Sequence, residues 1–434
     1  MLDPTVVGFL MAGGLILLLL LGMPIAFALG LSGLAGLAAT RGWASLQFLA
    51  GNFPYSATAE LALIIIPLFL FMSHLAFAAG LSARAYACAR HWVGHLSGGL
   101  ATATVFACAG FATVSGSSVA TAATMARIAA PEMLAAGYSP RLTAGCVAAG
   151  GTLGVLIPPS GILVIYSIAT AVPLSALLIA AIVPGILTAV VYALGIGLIA
   201  RLDLRTRSAQ RTVQRSSWGQ RLRSLGAAWE AALLFFLVMG SIYLGFATPT
   251  EAAAVGAAVA LLIAIIRTRG QRQSLIQGLT ETGVATSSIF ALVVGAGLFS
   301  LALATTRIPQ ELAGWVGGLD LSPTLLFMLI LVPYIVLGAF IDGLSMILLT
   351  MPVAFPIIEQ AGIDPVLFGI LVTKTTEIGA ITPPVGLNVF VVKGAVPELD
   401  IGDAFRGCIP FVLMEILIMI LLILFPGLSL GLLS

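Results

Sequence analysis

Charge is the scarcest property of this sequence: of its 434 residues only 8% are Asp, Glu, Lys or Arg, while 60% are hydrophobic. A soluble domain needs far more polar surface than that, so the composition specifies a polytopic helical membrane protein that faces a lipid bilayer. The net charge of +2 gives no basis for binding nucleic acid. Cysteine is equally sparse. Cys88, Cys108, Cys146 and Cys408 lie scattered in or beside apolar runs, with no CxxC pair and no histidine at metal-ligand spacing, and read as small core residues. The sequence holds no GxxxxGK(S/T) phosphate loop, no HExxH and no nucleophile elbow, which argues against an ABC-type ATPase and against an integral-membrane enzyme. A basic leader is missing too. The N-terminus opens on Asp3 and stays apolar far beyond a signal-peptide core, so it is expected to be retained as a membrane helix.

What the sequence does hold is one motif written twice. The first copy is Gly150-Gly151-Thr152-Leu153-Gly154-Val155-Leu156-Ile157-Pro158-Pro159-Ser160-Gly161, and the second is Thr376-Glu377-Ile378-Gly379-Ala380-Ile381-Thr382-Pro383-Pro384-Val385-Gly386. Proline lacks the N–H that closes the helical ladder and clashes with the preceding turn, so a Pro-Pro pair beside glycines breaks a helix. In lipid the freed backbone groups are tolerated only where protein, water or an ion pairs them. Pro131, Gly137, Pro140, Gly154, Pro158, Pro159 and Gly161 match Pro356, Gly362, Pro365, Gly379, Pro383, Pro384 and Gly386, each pair 225 positions apart. Matched breaks in two halves point to a duplicated half-transporter with its site near the midplane.

Taken in order, residues 5–39 are apolar with an interruption at Gly22-Met23-Pro24, which predicts two helices or a helix and a partial insertion. Residues 42–58 read as interfacial, and a crossing follows Glu60 to about residue 80. Two short apolar stretches between His95 and Pro131 are joined by Thr113-Val114-Ser115-Gly116-Ser117-Ser118 and flanked by Arg84, Arg90, Arg127 and Arg141. Basic residues at both ends predict a re-entrant hairpin opening to the cytoplasm. A broken helix over about 140–170 and a return over 173–200 come next. Seven arginines, Arg201, Arg205, Arg207, Arg211, Arg215, Arg221 and Arg223, against Asp203 mark a cytoplasmic linker. Helices are expected at 228–246 and 249–267, then an interfacial stretch to about 283 and a crossing at 285–303. A second hairpin over 322–361 has its tip at Ile341-Asp342-Gly343-Leu344-Ser345; Asp320, Glu359 and Asp364 flank it without a basic residue, so it should open outward. Residues 408–430 form a last crossing. The predicted fold is therefore an all-α, inverted-repeat membrane transporter with two re-entrant hairpins and two broken helices. Its segments are 1–95 (N-terminal scaffold and interfacial arm), 96–172 (first transport repeat), 173–321 (scaffold, with the basic linker 201–226), 322–395 (second transport repeat) and 396–434 (C-terminal helix).

Carbonyls freed at each break and hydroxyls at each hairpin tip can ligate a small hard cation. One sodium site is expected near Ser115, Ser117, Gly154 and Pro158, and its symmetry mate near Gly343, Ser345, Thr376, Gly379 and Thr382. Sodium is preferred to a divalent ion because these ligands are mostly neutral. Half-helix N-termini suit an anion. A carboxylate substrate is accordingly expected against Ser118, Pro159, Ser160, Pro383 and Asn388, with Lys374 and Glu377 as possible contributors. Lys374 and Glu377 are three apart, on one helical face, and fit either a structural ion pair or a role in ion coupling. Asp342 is the sharper candidate for coupling, because an acid at a re-entrant tip has few structural reasons to be there. His74 reads as a packed histidine. A channel would account for the apolarity but would not require matched, inverted breaks.

The stretches Gly-Thr-Leu-Gly-Val-Leu-Ile-Pro-Pro-Ser at 151–160, Glu-Ile-Gly-Ala-Ile-Thr-Pro-Pro-Val-Gly-Leu-Asn at 377–388 and Gly-Met-Pro-Ile-Ala-Phe-Ala-Leu-Gly at 22–30 resemble the large membrane subunit of TRAP transporters, the DctM-like family of tripartite ATP-independent periplasmic transporters. The resemblance spans essentially the whole chain. It implies an elevator-type carrier in a bacterial inner membrane, driven by a sodium gradient and taking up organic acids such as C4-dicarboxylates, sialic acid or keto acids. It implies two partners, a small membrane subunit and a soluble periplasmic substrate-binding protein, and the form in which the small subunit is not fused. The family's sodium sites carry over to Ser115, Ser117, Gly154 and Pro158 and to Asp342, Gly343, Thr376, Gly379 and Thr382. Ser117 stands in register with Asp342, so the two cation sites should differ. The competing expectation is a standalone elevator carrier of the dicarboxylate or ion-transporter superfamily.

Overall fold

A computed structural model describes residues 3–202, 215–269, 272–318 and 322–433, and every regular element among them is helical. Arg205, Arg207, Arg211 and Asp203 of the basic linker, and Asp320 beside the second hairpin, lie outside the described residues. Seven described helices are long and apolar enough to cross a membrane, or nine if each of two bent pairs counts as one span.

The chain opens with α1 (Pro4–Leu20) and α2 (Ile25–Thr58), divided where Gly22-Met23-Pro24 predicts a break. Helix α2 bends at Gly42 (φ 77°) and beyond it leaves Trp43, Phe48 and Tyr55 exposed. A 3-10 turn (Leu61–Ile64) leads into α3 (Ile65–Ala78), and α4 (Leu81–Val93) follows. The first hairpin is α5 (Gly99–Ser115) and α6 (Ser118–Ala135), and the first broken helix is α7 (Pro140–Leu156) and α8 (Gly161–Thr170), bent by 42°. Then come α9 (Leu174–Ala180), α10 (Ile182–Leu202), α11 (Trp218–Ala227), α12 (Trp229–Tyr243), α13 (Pro249–Arg267), α14 (Arg272–Ala304) and α15 (Ile308–Gly317). The second hairpin is α16 (Pro323–Gly338) and α17 (Gly343–Gln360), and the second broken helix is α18 (Pro365–Ala380) and α19 (Leu387–Ala395). Helix α20 (Ile401–Leu424) and a short α21 (Gly427–Leu430) complete the chain.

Residues 272–283, read from the sequence as an interfacial stretch ahead of a crossing, form the first turns of α14, which runs unbroken for 33 residues. That segment holds polar residues but no proline, and polarity alone does not interrupt the hydrogen-bond ladder.

The repeat is visible in the helix caps as well as in the breaks. Ser117 caps α6 and Asp342 caps α17; Ser139 caps α7 and Asp364 caps α18. Pro140 and Pro365 occupy the first helical turn behind those caps, where a missing N–H costs nothing. Both Pro-Pro bonds, Pro158-Pro159 and Pro383-Pro384, are cis. These pairs, at the same 225-residue offset, belong to one inverted-repeat architecture of two re-entrant hairpins and two broken helices.

The apolar core divides into two clusters. One lies among α5, α6, α7, α10, α19 and α20, with Cys108, Cys146 and Cys408 buried in it; the other joins α1–α3 and α12–α14 to α8, α9, α17 and α18. Helices α10 and α20 thus pack in the cluster that holds both the first hairpin and the second half of the second break.

Candidate functional site

Each hairpin tip rests on the break of its own repeat. At the first tip Gly116 takes a left-handed turn (φ 62°), and a Cβ there would lie 2.9 Å from the Pro159 carbonyl oxygen. At the second, Val385 donates its N–H to the Ala339 carbonyl at 3.2 Å. The second tip also meets the break of the first repeat. A Cβ on Gly343 would fall 2.4 Å from Ile162 of the first repeat and 2.9 Å from Thr376 of the second. Between them lies a cavity of about 370 Å³, lined by Ser115–Val119 and Ile341–Leu344 from the tips, by Pro159, Gly161, Thr376 and Glu377 from the breaks, and by Ile66, Phe69, Ser288 and Ile289 from α3 and α14. Two hairpins, two breaks and a wall from elsewhere in the fold enclose one space.

The sequence profile described as the DctM component of the tripartite ATP-independent periplasmic transporter matches residues 12–428. The chain belongs to this family. It is 37% identical, over 379 residues and 87% of each chain, to the C4-dicarboxylate TRAP transporter large permease protein DctM of Pseudomonas aeruginosa. It is 32% identical to the ectoine TRAP transporter large permease protein TeaC of Halomonas elongata, over 97% of each chain. The crystal structure of the YdaH transporter of Alcanivorax borkumensis superposes with a TM-score of 0.65 over 90% of both chains at 16% identity, a likeness of fold. This DctM-family chain is a TRAP large permease, a transporter and not an enzyme.

The first predicted cation cluster is brought together. The Ser115 hydroxyl donates to the Ser117 carbonyl at 3.2 Å, and Thr121 donates to that carbonyl at 2.8 Å and to the Ser115 hydroxyl at 3.1 Å. Gly154 presses on the same carbonyl, since a Cβ there would lie 2.5 Å from it. Pro158 is buried. Neutral oxygens gathered where a helix is broken fit a monovalent hard cation. Thr121, one helical turn beyond Ser117, was not anticipated; its hydroxyl faces the tip because of the i, i+4 spacing.

The second cluster is gathered only in part. Gly343 and Thr376 meet, Gly379 packs on the Gly338 backbone with a virtual Cβ at 2.2 Å, and Ser345 is buried. Thr382, just past the end of α18, donates to the Ile378 carbonyl at 2.6 Å and is not among the cavity lining. Asp342 does have a structural reason for its place: its carboxylate caps α17, accepting from the Leu344 and Ser345 N–H groups at 3.0 and 3.1 Å and from the Ser345 hydroxyl at 2.5 Å.

Among the substrate candidates, Ser118, Pro159 and Glu377 line the cavity, whereas the others stand apart. Ser160 is buried and caps α8 through Leu163 N–H. Pro383 is exposed. Asn388, fully buried, donates to the Ala148 carbonyl at 3.1 Å and so ties α19 to α7. Lys374 does not reach the cavity. It is 0% exposed, pairs with Glu377 at 2.5 Å and with Glu415, and donates to Thr188 at 3.0 Å. Glu415 in turn accepts from the Tyr192 hydroxyl at 2.5 Å. Burying an ammonium requires such partners, and having them leaves it no donor for a substrate. Glu415, an acid inside the apolar run 408–430, was the signal that could have revealed this network. His74 likewise has a partner: its Nδ1 lies 3.0 Å from Glu281 of α14.

Proposed function

We propose that this permease drives uptake of an organic carboxylate by a sodium gradient, receiving the substrate from a periplasmic binding protein and working with a small membrane subunit in a bacterial inner membrane. The observation that carries the reading is the convergence of both tips and both breaks on one cavity. Sodium ions at the oxygens around Ser115, Ser117 and Thr121, and at the Gly343–Thr376 crossing, would supply positive charge next to an anion. The N–H groups that open α6 and α8 supply more, because the first turn of a helix leaves donors unpaired. The cavity is bounded on one side by α3 and α14, which lie outside the repeats. An elevator motion would slide the paired hairpins and breaks along that wall and carry the occupied site across the membrane.

The test is reconstitution into proteoliposomes with and without the two partner proteins, with and without an imposed sodium gradient, and uptake of radiolabelled organic acids as readout. The account expects sodium-dependent uptake only when all three components are present. Uptake by this chain alone would make it a standalone carrier and overturn the tripartite reading.

A further inference from the structure

The helix that leads into the second repeat has three unlike sides. In α11 the residues Trp218, Leu222 and Leu225, four and three apart, form one exposed apolar stripe, and Trp229 follows, also exposed, at the 52° bend into α12. A second side faces α4. Ser224 is buried there with its hydroxyl 3.6 Å from Cys88 Sγ, the Trp218 ring meets Trp92 edge-on at 6.4 Å, and Arg221 lies over the Trp218 ring and 3.5 Å from His95 Nδ1. The side opposite the stripe carries Gln220 and Arg223, both exposed. A helix held by protein on one side, apolar on the next and polar on the third is built to lie in the surface of a membrane.

Charge selects the kind of surface. From Arg201 to Arg223 the sequence has seven arginines and one acid, Asp203. Arg215, Arg221 and Arg223 form no ion pair with an acid among the described residues, and the first acid after α11, Glu230, is buried and taken by Arg84 and Arg267. The far stretch of α2, residues 43–58, also exposes aromatic rings, Trp43, Phe48 and Tyr55, but has no lysine or arginine. The two segments share an apolar face and differ in charge, so only α11 should distinguish anionic from neutral lipid.

We infer that α11 is an in-plane anchor for anionic phospholipid, with the Trp218–Leu222–Leu225 stripe among the acyl chains and Arg215 and Arg223 on the headgroup phosphates. Tryptophans bracket the stripe, and indole settles at headgroup depth. Anionic headgroups neutralise charge that the protein leaves unmatched, and each arginine near such a surface strengthens binding about fivefold. Through its contacts with α4, which leads into the first hairpin, the anchored helix ties the base of that hairpin to the membrane surface.

Two measurements on the full-length permease test the anchor. In the first, the native cysteines are replaced and Leu222→Cys, Leu225→Cys, Gln220→Cys or Phe48→Cys carries an environment-sensitive fluorophore. The protein is placed in vesicles of phosphatidylcholine, alone or mixed equally with phosphatidylglycerol. Nitroxide on the acyl chains should quench positions 222 and 225, and an aqueous quencher should reach position 220. Phosphatidylglycerol should strengthen the lipid quenching at 222 and 225 and leave position 48 unchanged. In the second, the affinity for phosphatidylglycerol is read from thermal stabilisation in detergent. Arg223→Gln should weaken it about fivefold, and Arg215→Gln with Arg223→Gln about 25-fold, with phosphatidylcholine binding unaltered. Both arginines are exposed, so the fold is not at risk. Positions 222 and 225 quenched from water, or from neither phase because another protein covers them, would overturn the inference. An unchanged phosphatidylglycerol affinity in the double variant would overturn it as well.

Discussion

The two repeats share a backbone plan and differ in exposure and charge. At the first break Pro158, Pro159 and Ser160 are buried; at the second Pro383, Pro384 and Val385 are exposed. The first repeat is neutral at Ser117, Ala149 and Thr152, the positions in register with Asp342, Lys374 and Glu377. Duplication has preserved what the backbone needs, namely caps, breaks and close glycine contacts. At these three positions ionic chemistry has been placed in the second repeat only, where it ties the second broken helix to α10 and α20. On the proposed elevator reading, unequal exposure is expected of one state of a carrier whose two breaks serve opposite sides of a membrane.

The comparison should break most severely at Lys374. Lys374→Met leaves Glu377 and Glu415 buried without their cation, and is expected to cost about 3–5 kcal/mol of stability, measured as thermal unfolding in detergent. At the register position, Ala149→Met should cost about 1–3 kcal/mol through overpacking alone. Neutralising the whole network, Lys374→Met with Glu377→Gln and Glu415→Gln, should recover most of the Lys374→Met loss.

The glycine contacts should behave alike in both halves. Gly379→Ala places a methyl 2.2 Å from the Gly338 carbonyl carbon, and Gly154→Ala places one 2.5 Å from the Ser117 carbonyl oxygen. The neighbours are backbone and cannot rotate away, so each change should cost about 1–3 kcal/mol and lower sodium-driven uptake. Equal effects would sharpen the repeat, and an effect in one half only would break it.

The caps separate charge from folding. Ser117→Ala should lose about 1 kcal/mol with its cap, while Asp342→Asn, which keeps a good capping side chain, should change stability by less than about 0.5 kcal/mol. Any loss of sodium dependence in Asp342→Asn then reports the carboxylate charge and not the helix. Thr188→Val should cost about 0.5–1 kcal/mol, for one hydrogen bond to Lys374, in the thermal assay.

The hairpins and breaks were legible in the sequence because proline and glycine act locally: the residues that stop a helix are the ones written there. The pairing of Lys374 with Glu377 was legible for the same reason, as both lie on one helical turn. Its other partners were not, since Thr188 and Glu415 reach it only through tertiary packing of α10 and α20. The capping role of Asp342 was missed although its signal is local. An aspartate before Gly-Leu-Ser is a helix N-cap in sequence, and its position at a tip drew attention to charge instead of capping. Asn388 sits beside the Pro-Pro motif, but helix crossing sends its amide to Ala148 and not to the cavity. For α14 the polar residues suggested a boundary that only a proline or an unpaired backbone would have made.

The most direct test of the account is thiol accessibility at two positions in register, Ser160→Cys and Val385→Cys, each in a chain whose native cysteines have been replaced. Reactivity with a membrane-impermeant reagent would be followed in proteoliposomes as sodium and substrate are added on one side and then the other. The account predicts opposed changes: whenever position 160 becomes reactive, position 385 becomes protected. Reactivities that stay fixed, or that rise and fall together, would contradict two breaks exchanging sides around a single site.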